Sequence, residues 1–360
     1  MSSTGLESGS ISRALIVATL AVAFGVTLPG SSSAEDKVRV ALGIEWPAYA
    51  MWNLAAELDP VPDLELEVST INDPFAAWTL LGAGQTDIVH ATMEYAPIAA
   101  EQEVPIKLVA FTTISYGADH VVGIEGMDDV TNIRGSRVAA VEGYLGQIMV
   151  GIWLAEQGVN VDEVNWINLA GDQAASAMLA GDIDLAYLFS PYTEQVIEQL
   201  GGSMILGSTR KPNWLEKGFM TDAVYMSDKF LAEQPVLAAK AMKAFWEAVA
   251  FWQTNPQEAN QMLSDILQWD LADINAINGV TGTREDSTIW QYSFMEAARI
   301  CAGAPGDGPF GQKNGHAYTA VETINDWWIK FGQMTKRIDP GSAVDCSVMN
   351  ALYDSGYRGE

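Results

Sequence analysis

One phrase occurs twice in this chain, and it restricts the fold more than any other feature. The stretch "LLGAGQTDIVHATMEYAPI" begins at Leu80 and "MLAGDIDLAYLFSPYTE" at Met178. Each runs Ala-Gly-x-x-Asp, then a short apolar run, then a proline-bearing polar and aromatic segment. In both, glycine ends a helix and the chain turns directly into a strand, as a glycine just past a helix allows. The flanking segments repeat the same rhythm. "KVRVALGI" (37–44), "LELEVSTI" (64–71), "DIVHA" and "IKLVAF" (106–111) read as strands, being apolar, β-branched or strictly alternating. Between them lie helices over "WPAYAMWNLAAEL", with Pro47 in its first turn, and over "DPFAAWTLLGAG", with Asp73 as N-cap and Pro74 at N1. The pattern restarts with strand "GSRVAAVEG" (135–143), helix "YLGQIMVGIWLAEQG", strand "VNWINL", helix "DQAASAMLAG" with Asp172 as N-cap, and strand "DIDLAYLF". Two similar α/β units follow, each a mostly parallel sheet covered on both faces by helices. Ligands of such sheets bind beyond the carboxyl ends of the strands. The two repeated segments are therefore expected to form opposed walls of one cleft.

The remainder reads as helical. Ser227 caps "SDKFLAEQPVLAAKAMKAFWEAVAFWQTNPQEANQML", whose Trp246 and Trp252 fit a core. "GAPGDGPFGQKNG" (303–315) is a turn-rich loop, and a last helix carries Trp327 and Trp328. At the other end, "ALIVATLAVAFGVTL" (14–28) follows Arg13 and precedes "GSSSAEDK", with Ser32 and Ala34 in the −3 and −1 places of a cleavage site. The 15-residue apolar run is too short for a membrane span of about 20 residues, and residues 1–34 are therefore read as a secretory signal peptide. Cys301 and Cys346 are the two cysteines; in an oxidising compartment they are expected to pair, the alternative being two buried reduced thiols. Acidic residues number 46 against 19 basic, a net charge of −27, which excludes phosphate-gripping roles on nucleic acid or anionic lipid.

The ordered set "ALGIEWPAY", "LLGAGQTDIVHAT", "VPIKLVAF", "SYGADHVVG", "IRGSRVAAVEG", "WLAEQGVNVDEVNWINL", "AMLAGDIDLAYLFSP" and "VYMSDKFLAEQP" resembles the periplasmic substrate-binding proteins of ABC importers. The group is the nitrate/sulfonate/taurine/thiamine-precursor one (SsuA/THI5-like, NMT1-like). The resemblance implies a two-lobed periplasmic-binding-protein fold (type II) with a helical C-terminal segment. Residues 35–118 and 222–360 would form lobe 1, and 123–218 lobe 2, with hinge crossings near 118–123 and 218–224. It further implies an exported, periplasmic monomer that closes on a small solute and passes it to an inner-membrane permease, with no cofactor, no metal and no catalysis.

Residues just past the strand ends are the binding candidates: Glu45, Trp46 and Tyr49; Thr92, Met93, Glu94 and Tyr95; Glu142, Tyr144 and Gln147; Phe189, Ser190 and Tyr192. The crossings add Asp119 and Asp222. Helix N-termini after these loops would offer N–H groups to an anionic end of the solute. Glu94 and Glu142 stand where the family's sulfonate and nitrate binders carry small residues. Together with Glu45 and the aromatic rings, they favour an ammonium group, hence a taurine-like or other amine-bearing zwitterion. The alternatives are a thiamine-pyrimidine precursor, a nitrate-type anion, or a sensing module. An enzyme of the same fold ranks last, since the cysteine-rich motif of the pyrimidine synthases is missing. The histidines His90, His120 and His316 also lack metal-ligand spacing.

Overall fold

The computed structural model describes residues 36–359, so the expected signal peptide lies outside the described residues. Eleven strands among the described residues sort into two sheets. The first unit runs β1 (Asp36–Leu42), α1 (Met51–Leu58), β2 (Leu64–Thr70), α2 (Pro74–Gly82), β3 (Ile88–Thr92), α3 (Tyr95–Glu101) and β4 (Ile106–Ser115). The second runs β5 (Asp119–Gly123), α4 (Val130–Ile133), β6 (Arg137–Ala140), α5 (Leu145–Glu156), β7 (Asn165–Asn168), α6 (Gly171–Leu179), β8 (Leu185–Phe189), α7 (Tyr192–Gln199), β9 (Met204–Ser208) and α8 (Pro212–Lys217). The chain then returns through β10 (Thr221–Ser227) into α9 (Asp228–Glu233), α10 (Pro235–Thr254), α11 (Pro256–Leu267) and α12 (Leu271–Asn278). It ends with β11 (Ile289–Gln291), α13 (Phe294–Ile300), α14 (His316–Phe331), α15 (Pro340–Ala343) and α16 (Ser347–Asp354).

Strand order is β11-β4-β10-β3-β1-β2 in one sheet and β7-β6-β8-β5-β9 in the other. The pairs β1–β2, β1–β3, β6–β7 and β6–β8 are parallel, as the strand–helix alternation requires. Both sheets are nonetheless mixed. The segments expected to be plain hinge crossings form strands themselves: β5 pairs antiparallel with β8 and β9, and β10 with β3 and β4. A strand that arrives from the other unit without a crossover helix enters its sheet in the opposite direction.

The repeated phrase has a physical role at its amino end as well. After α2, Gly84 takes φ +69° and the N–H groups of Gly84 and Gln85 close on the carbonyls of Leu81 and Leu80. After α6, Gly181 takes φ +79° and the N–H groups of Gly181 and Asp182 close on Met178 and Ala177. Both are Schellman endings, which need a residue at ease with positive φ. The aspartate that follows clasps the first strand of its unit. Arg39 donates to Asp87 through its backbone N (2.9 Å), Nε (3.0 Å) and Nη2 (2.8 Å). Arg137 does the same to Asp184 at 2.8, 3.0 and 2.5 Å. The guanidinium beside Asp184 holds its carboxyl below the usual range. These clasps sit at the amino ends of β3 and β8, about 16 Å along the strand from its other end. They fix strand alignment and do not wall a cleft.

Local expectations at helix starts are met unevenly. Asp73 accepts from the N–H groups of Phe75 and Ala76, and Ser227 from that of Phe230. α1 begins at Met51 rather than Pro47, because residues 47–50 form turns closed on Trp46. α6 is capped at Ala170, whose N–H donates to Gln173, so Asp172 stands inside the first turn. The long helical stretch is three helices, broken at Pro235 and Pro256, whose missing N–H groups start each one afresh. Trp246, Trp252 and Trp328 are buried in the main core, while Trp327 is half-buried against it. Cys301 and Cys346 form a disulfide joining the ends of α13 and α16. No helix among the described residues is long and apolar enough to cross a membrane.

Replacing Asp184 or Asp87 by Ala removes three hydrogen bonds to a part-buried charge. It should lower stability by about 1.5–3 kcal/mol, read as a shift in the urea midpoint. A change below about 0.5 kcal/mol would reduce the clasp to an ordinary surface ion pair.

Candidate functional site

The carboxyl ends of β1, β3, β6 and β8 face each other across two communicating cavities of about 110 and 270 Å³. Ile44, Tyr49, Thr92, Leu145, Tyr187 and Phe189 line both. The smaller also reaches Trp46, Asp119 and Asp222; the larger reaches Glu94, Tyr144 and Tyr192. Two aspartates enter in matching ways. Asp119 opens β5 and stands opposite Phe189, while Asp222, at the start of β10, stands opposite Thr92. Each is held by a tyrosine, Asp119 by one in a neighbouring strand and Asp222 by one in the turn before α1. Tyr49 donates to Asp222 at 2.9 Å, and Tyr187 donates to Asp119. Thr113 also donates to Asp222.

Glu94 is the third carboxyl group. It is 1% exposed; its Oε1 accepts from Thr92 at 2.8 Å, and its Oε2 has no hydrogen-bond partner. Trp328 anchors the backbone carbonyl of Glu94 at 2.8 Å. The carboxyl also lies near the backbone N–H of Leu145, so a side chain from one unit approaches the N-terminus of α5 in the other. Among the described residues no Lys, Arg or His lines either cavity. Burial without a basic partner pushes Glu94 up to about 7, against the pull of its hydrogen bonds. Asp222 is pushed up to about 7 for the same reason, with Asp119 nearby adding repulsion. Asp119 is raised by burial too. The tyrosines Tyr49 and Tyr187 are raised by burial and by these carboxylates, so they stay phenols that donate.

Tyr187 was absent from the candidate residues because the sequence placed it inside a core strand. Strand alternation carries the signal: Tyr187 lies two residues from Phe189 and so shares its face. Glycine makes room for both rings. A Cβ on Gly146 would lie 2.3 Å from the Tyr187 ring, and one on Gly171 would lie 2.9 Å from Phe189. Ala118, Leu145, Met220 and Ile289 complete the apolar side of the wall, and Ser115 adds a hydroxyl; none of these is among the residues the sequence suggested.

The other candidates are distributed as follows. Trp46, Tyr49, Thr92, Glu94, Asp119, Tyr144, Phe189, Tyr192 and Asp222 meet on the cavity walls. Met93 is fully buried in the core. Tyr95 stacks on Trp78 at 4.2 Å and does not reach the cavity. Ser190 donates to Glu194 and lines an outer groove with Tyr192 and Trp269. Glu45 is an exposed rim residue that accepts from Trp269 at 2.6 Å. Glu142 is exposed and accepts from Gln333. With Gln147 it borders a separate depression beside Trp166 and Lys330, so neither lines the cleft. Two of the three glutamates expected to make the cleft acidic thus lie off its walls, and the acidity comes from the buried or recessed Glu94, Asp119 and Asp222, with the exposed Asp172 at the border of the larger cavity.

The expected anion-accepting helix starts already carry acidic side chains. Asp73 caps α2, Glu94 lies near the first N–H of α5, and Asp172 stands in the first turn of α6, although neither α5 nor α6 has a side-chain cap. Asn72 and Asn168 take the N–H groups of Glu45 and Glu142. The histidines lie apart: His90 packs on Tyr49 and bonds Thr112 at 2.7 Å, His120 faces Thr193, and His316 faces the Lys217 carbonyl.

Residues 62–259 match the family described as NMT1/THI5 like. A Brucella abortus chain named as a binding protein is 23% identical over 182 residues, covering 50% of this chain and 56% of its own. The chain thus spans about half the length of the curated relatives it matches. A Bacillus subtilis chain named for binding aliphatic sulfonates is 28% identical over 146 residues, 40% of this chain and 42% of its own. The periplasmic aliphatic sulphonate binding protein of Escherichia coli superposes with a TM-score of 0.64 at 14% identity, over 86% of this chain and 92% of that one. A desulfurization enzyme superposes with a TM-score of 0.56 at 11% identity, over 89% and 99%. These structures share the fold.

Glu94 and Asp222 make the empty cleft pH-sensitive. In the unfolded chain both ionise near pH 4, whereas in the fold both keep their protons up to about 7. The native state therefore binds more protons in that window, and stability falls as pH rises through it. Each carboxyl should cost on the order of 3 kcal/mol by pH 7. Thermal melts from pH 4.5 to 7.5 should show this fall, and Glu94→Gln or Asp222→Asn should flatten it. A profile that rises over this range would contradict the assignment.

Proposed function

The chain belongs to the NMT1/THI5 like family, and from that premise we propose that it is an extracytoplasmic solute-binding protein of an ABC import system. It closes two lobes, one built on each sheet, around a small amine-bearing organic solute and delivers it to a permease. The observation that carries this reading is the charge imbalance of the cleft. Glu94, Asp119 and Asp222 are recessed together among Trp46, Tyr49, Tyr187 and Phe189, with no basic side chain on the same walls. A buried carboxylate without a partner is costly, and a cationic group on the solute supplies the missing partner. Aromatic faces add about 0.5–2 kcal/mol of attraction for a cation.

The printed names of the Brucella and Bacillus relatives support binding over turnover. Closure is hinge motion, favoured by contacts the solute makes to both units at once. Tyr49 and Asp222 on one side and Tyr187 and Asp119 on the other are placed for such contacts. A bare anion such as nitrate would meet three carboxyl groups and helix starts that already carry acidic side chains, which disfavours it.

The test is a thermal-shift panel of amines, taurine, alkanesulfonates, nitrate and thiamine pyrimidines. A solute at about 100 times its Kd should add about 2.7 kcal/mol of stability. We expect the shift with an amine, its loss in the Glu94→Gln/Asp222→Asn double variant, and recovery of the solute unchanged. A shift with nitrate or alkanesulfonates alone would overturn the amine reading, and a chemically altered solute would overturn binding without turnover.

A further inference from the structure

The cleft says more about its solute than that it bears an amine. We propose that the solute is a net organic cation with a primary ammonium group and no acidic group, its N–H donors shared among Glu94, Asp119 and Asp222. This rests on the solute-binding reading above and narrows it, replacing the zwitterion that the sequence suggested.

Two independent features lead there. The first concerns the cationic end. Each of the three carboxyl groups receives hydroxyl donors from one side: Thr92 for Glu94, Tyr187 for Asp119, and Tyr49 with Thr113 for Asp222. Acceptor capacity is left over, since a carboxylate offers about four lone-pair sites. At Glu94 the shortfall is explicit, because Oε2 is buried in the cavity wall with no partner at all. An aromatic box alone would suit a quaternary ammonium as well as a primary one. An orphaned carboxyl oxygen distinguishes them once Glu94 gives up its proton in the bound amine's field, because a primary ammonium has N–H groups to donate to it and a quaternary one has none.

The second feature concerns the rest of the solute. A carboxylate or sulfonate needs Arg, Lys or backbone N–H groups. Among the described residues no basic side chain lines the cavities. Acidic side chains already stand at the surrounding helix starts, Asp73 at α2, Glu94 beside α5 and Asp172 in the first turn of α6, and Asn72 and Asn168 hold the N–H groups of Glu45 and Glu142. Much of the remaining wall is apolar, with Ile44, Leu145, Phe189, Met220 and Ile289. An acidic group there would be desolvated without a partner and would also repel the three carboxyl groups.

A matched series separates these requirements. 2-Phenylethylamine, its N,N,N-trimethyl derivative, phenylalanine and 2-phenylethanesulfonate share one skeleton and differ only in the groups at issue. Titration calorimetry on the purified protein should show 2-phenylethylamine binding about thirtyfold or more tighter than the other three, the low end for leaving a buried charged acceptor unpartnered. Glu94→Gln should lose that preference over the trimethyl compound while keeping a cooperative melt, which a merely structural role for Glu94 would not produce. Equal or tighter binding of phenylalanine or the sulfonate overturns the net-cation requirement, and equal binding of the trimethyl compound overturns the requirement for N–H donors. Native mass spectrometry of solute carried through purification gives the separate check. An acidic or neutral solute overturns this inference and leaves the binding-protein reading standing. If no solute of any class binds, both fall.

Discussion

The arginine–aspartate clasp is the interaction on which the rest of the molecule rests. A parallel sheet assembled from separate strand–helix units needs something to set which strands are neighbours and in what register. Here Asp87 fixes β3 against β1 and Asp184 fixes β8 against β6, each through a backbone N–H and two guanidinium N–H groups. The reciprocal backbone bonds, from Asp87 N to the Arg39 carbonyl and from Asp184 N to the Arg137 carbonyl, begin the ladders from the same points. A planar guanidinium meeting a carboxylate is directional, so the clasp specifies geometry as well as adding energy. Because both clasps sit at the amino ends of their strands, the carboxyl ends of both units are left open to the cleft.

Those open ends gather a set of groups that would be unstable elsewhere. Three carboxyl groups sit in a region poor in water; burial raises all three, and repulsion from a neighbouring carboxylate adds to it at Glu94 and Asp222. The fold tolerates this because each accepts hydroxyl donors, and because Tyr49 and Tyr187, raised by the same field, remain donors. Strain of this kind, retained where it does nothing for stability, is characteristic of a site awaiting a partner. Glu94 carries it furthest. Its backbone is pinned by Trp328, its Oε1 by Thr92, and its carboxyl approaches the start of α5 in the opposite unit. The residue that would meet the solute therefore also stands where the two units meet.

Much of the architecture was legible because it depends on local signals. The Asp73 and Ser227 caps, the glycine helix endings and the alternation of Leu64–Thr70 each follow from a few neighbouring residues, and the pairing of Cys301 with Cys346 from their being the two cysteines of the chain. Errors arose where a distant partner decides. Asp172 has the chemistry of a cap, yet Gln173 reaching back to Ala170 sets the start of that helix. The crossings at 118–123 and 218–224 also carry β5 and β10, strands whose pairing partners lie more than 60 residues away and which the local pattern therefore does not supply. In the cleft, Glu45, Glu142 and Glu94 look alike as glutamates just past strand ends. Glu45 and Glu142 occupy matching positions, each with its N–H held by an asparagine, and both turn to solvent. Glu94 instead lies under α14 and is buried.

By itself, then, the sequence determined the two α/β units, their strand–helix rhythm, the disulfide and the family, because capping, turn chemistry and hydrophobic periodicity act over a few residues. Only the tertiary structure decided that the repeated aspartates are clasps rather than cleft walls. It also decided that Tyr187 faces the cavity and that Glu94, Asp119 and Asp222 converge without a counter-charge. Convergence is a property of how two sheets are set against each other, and the charge state of a carboxyl group depends on everything within several ångströms of it, whatever its place in the chain.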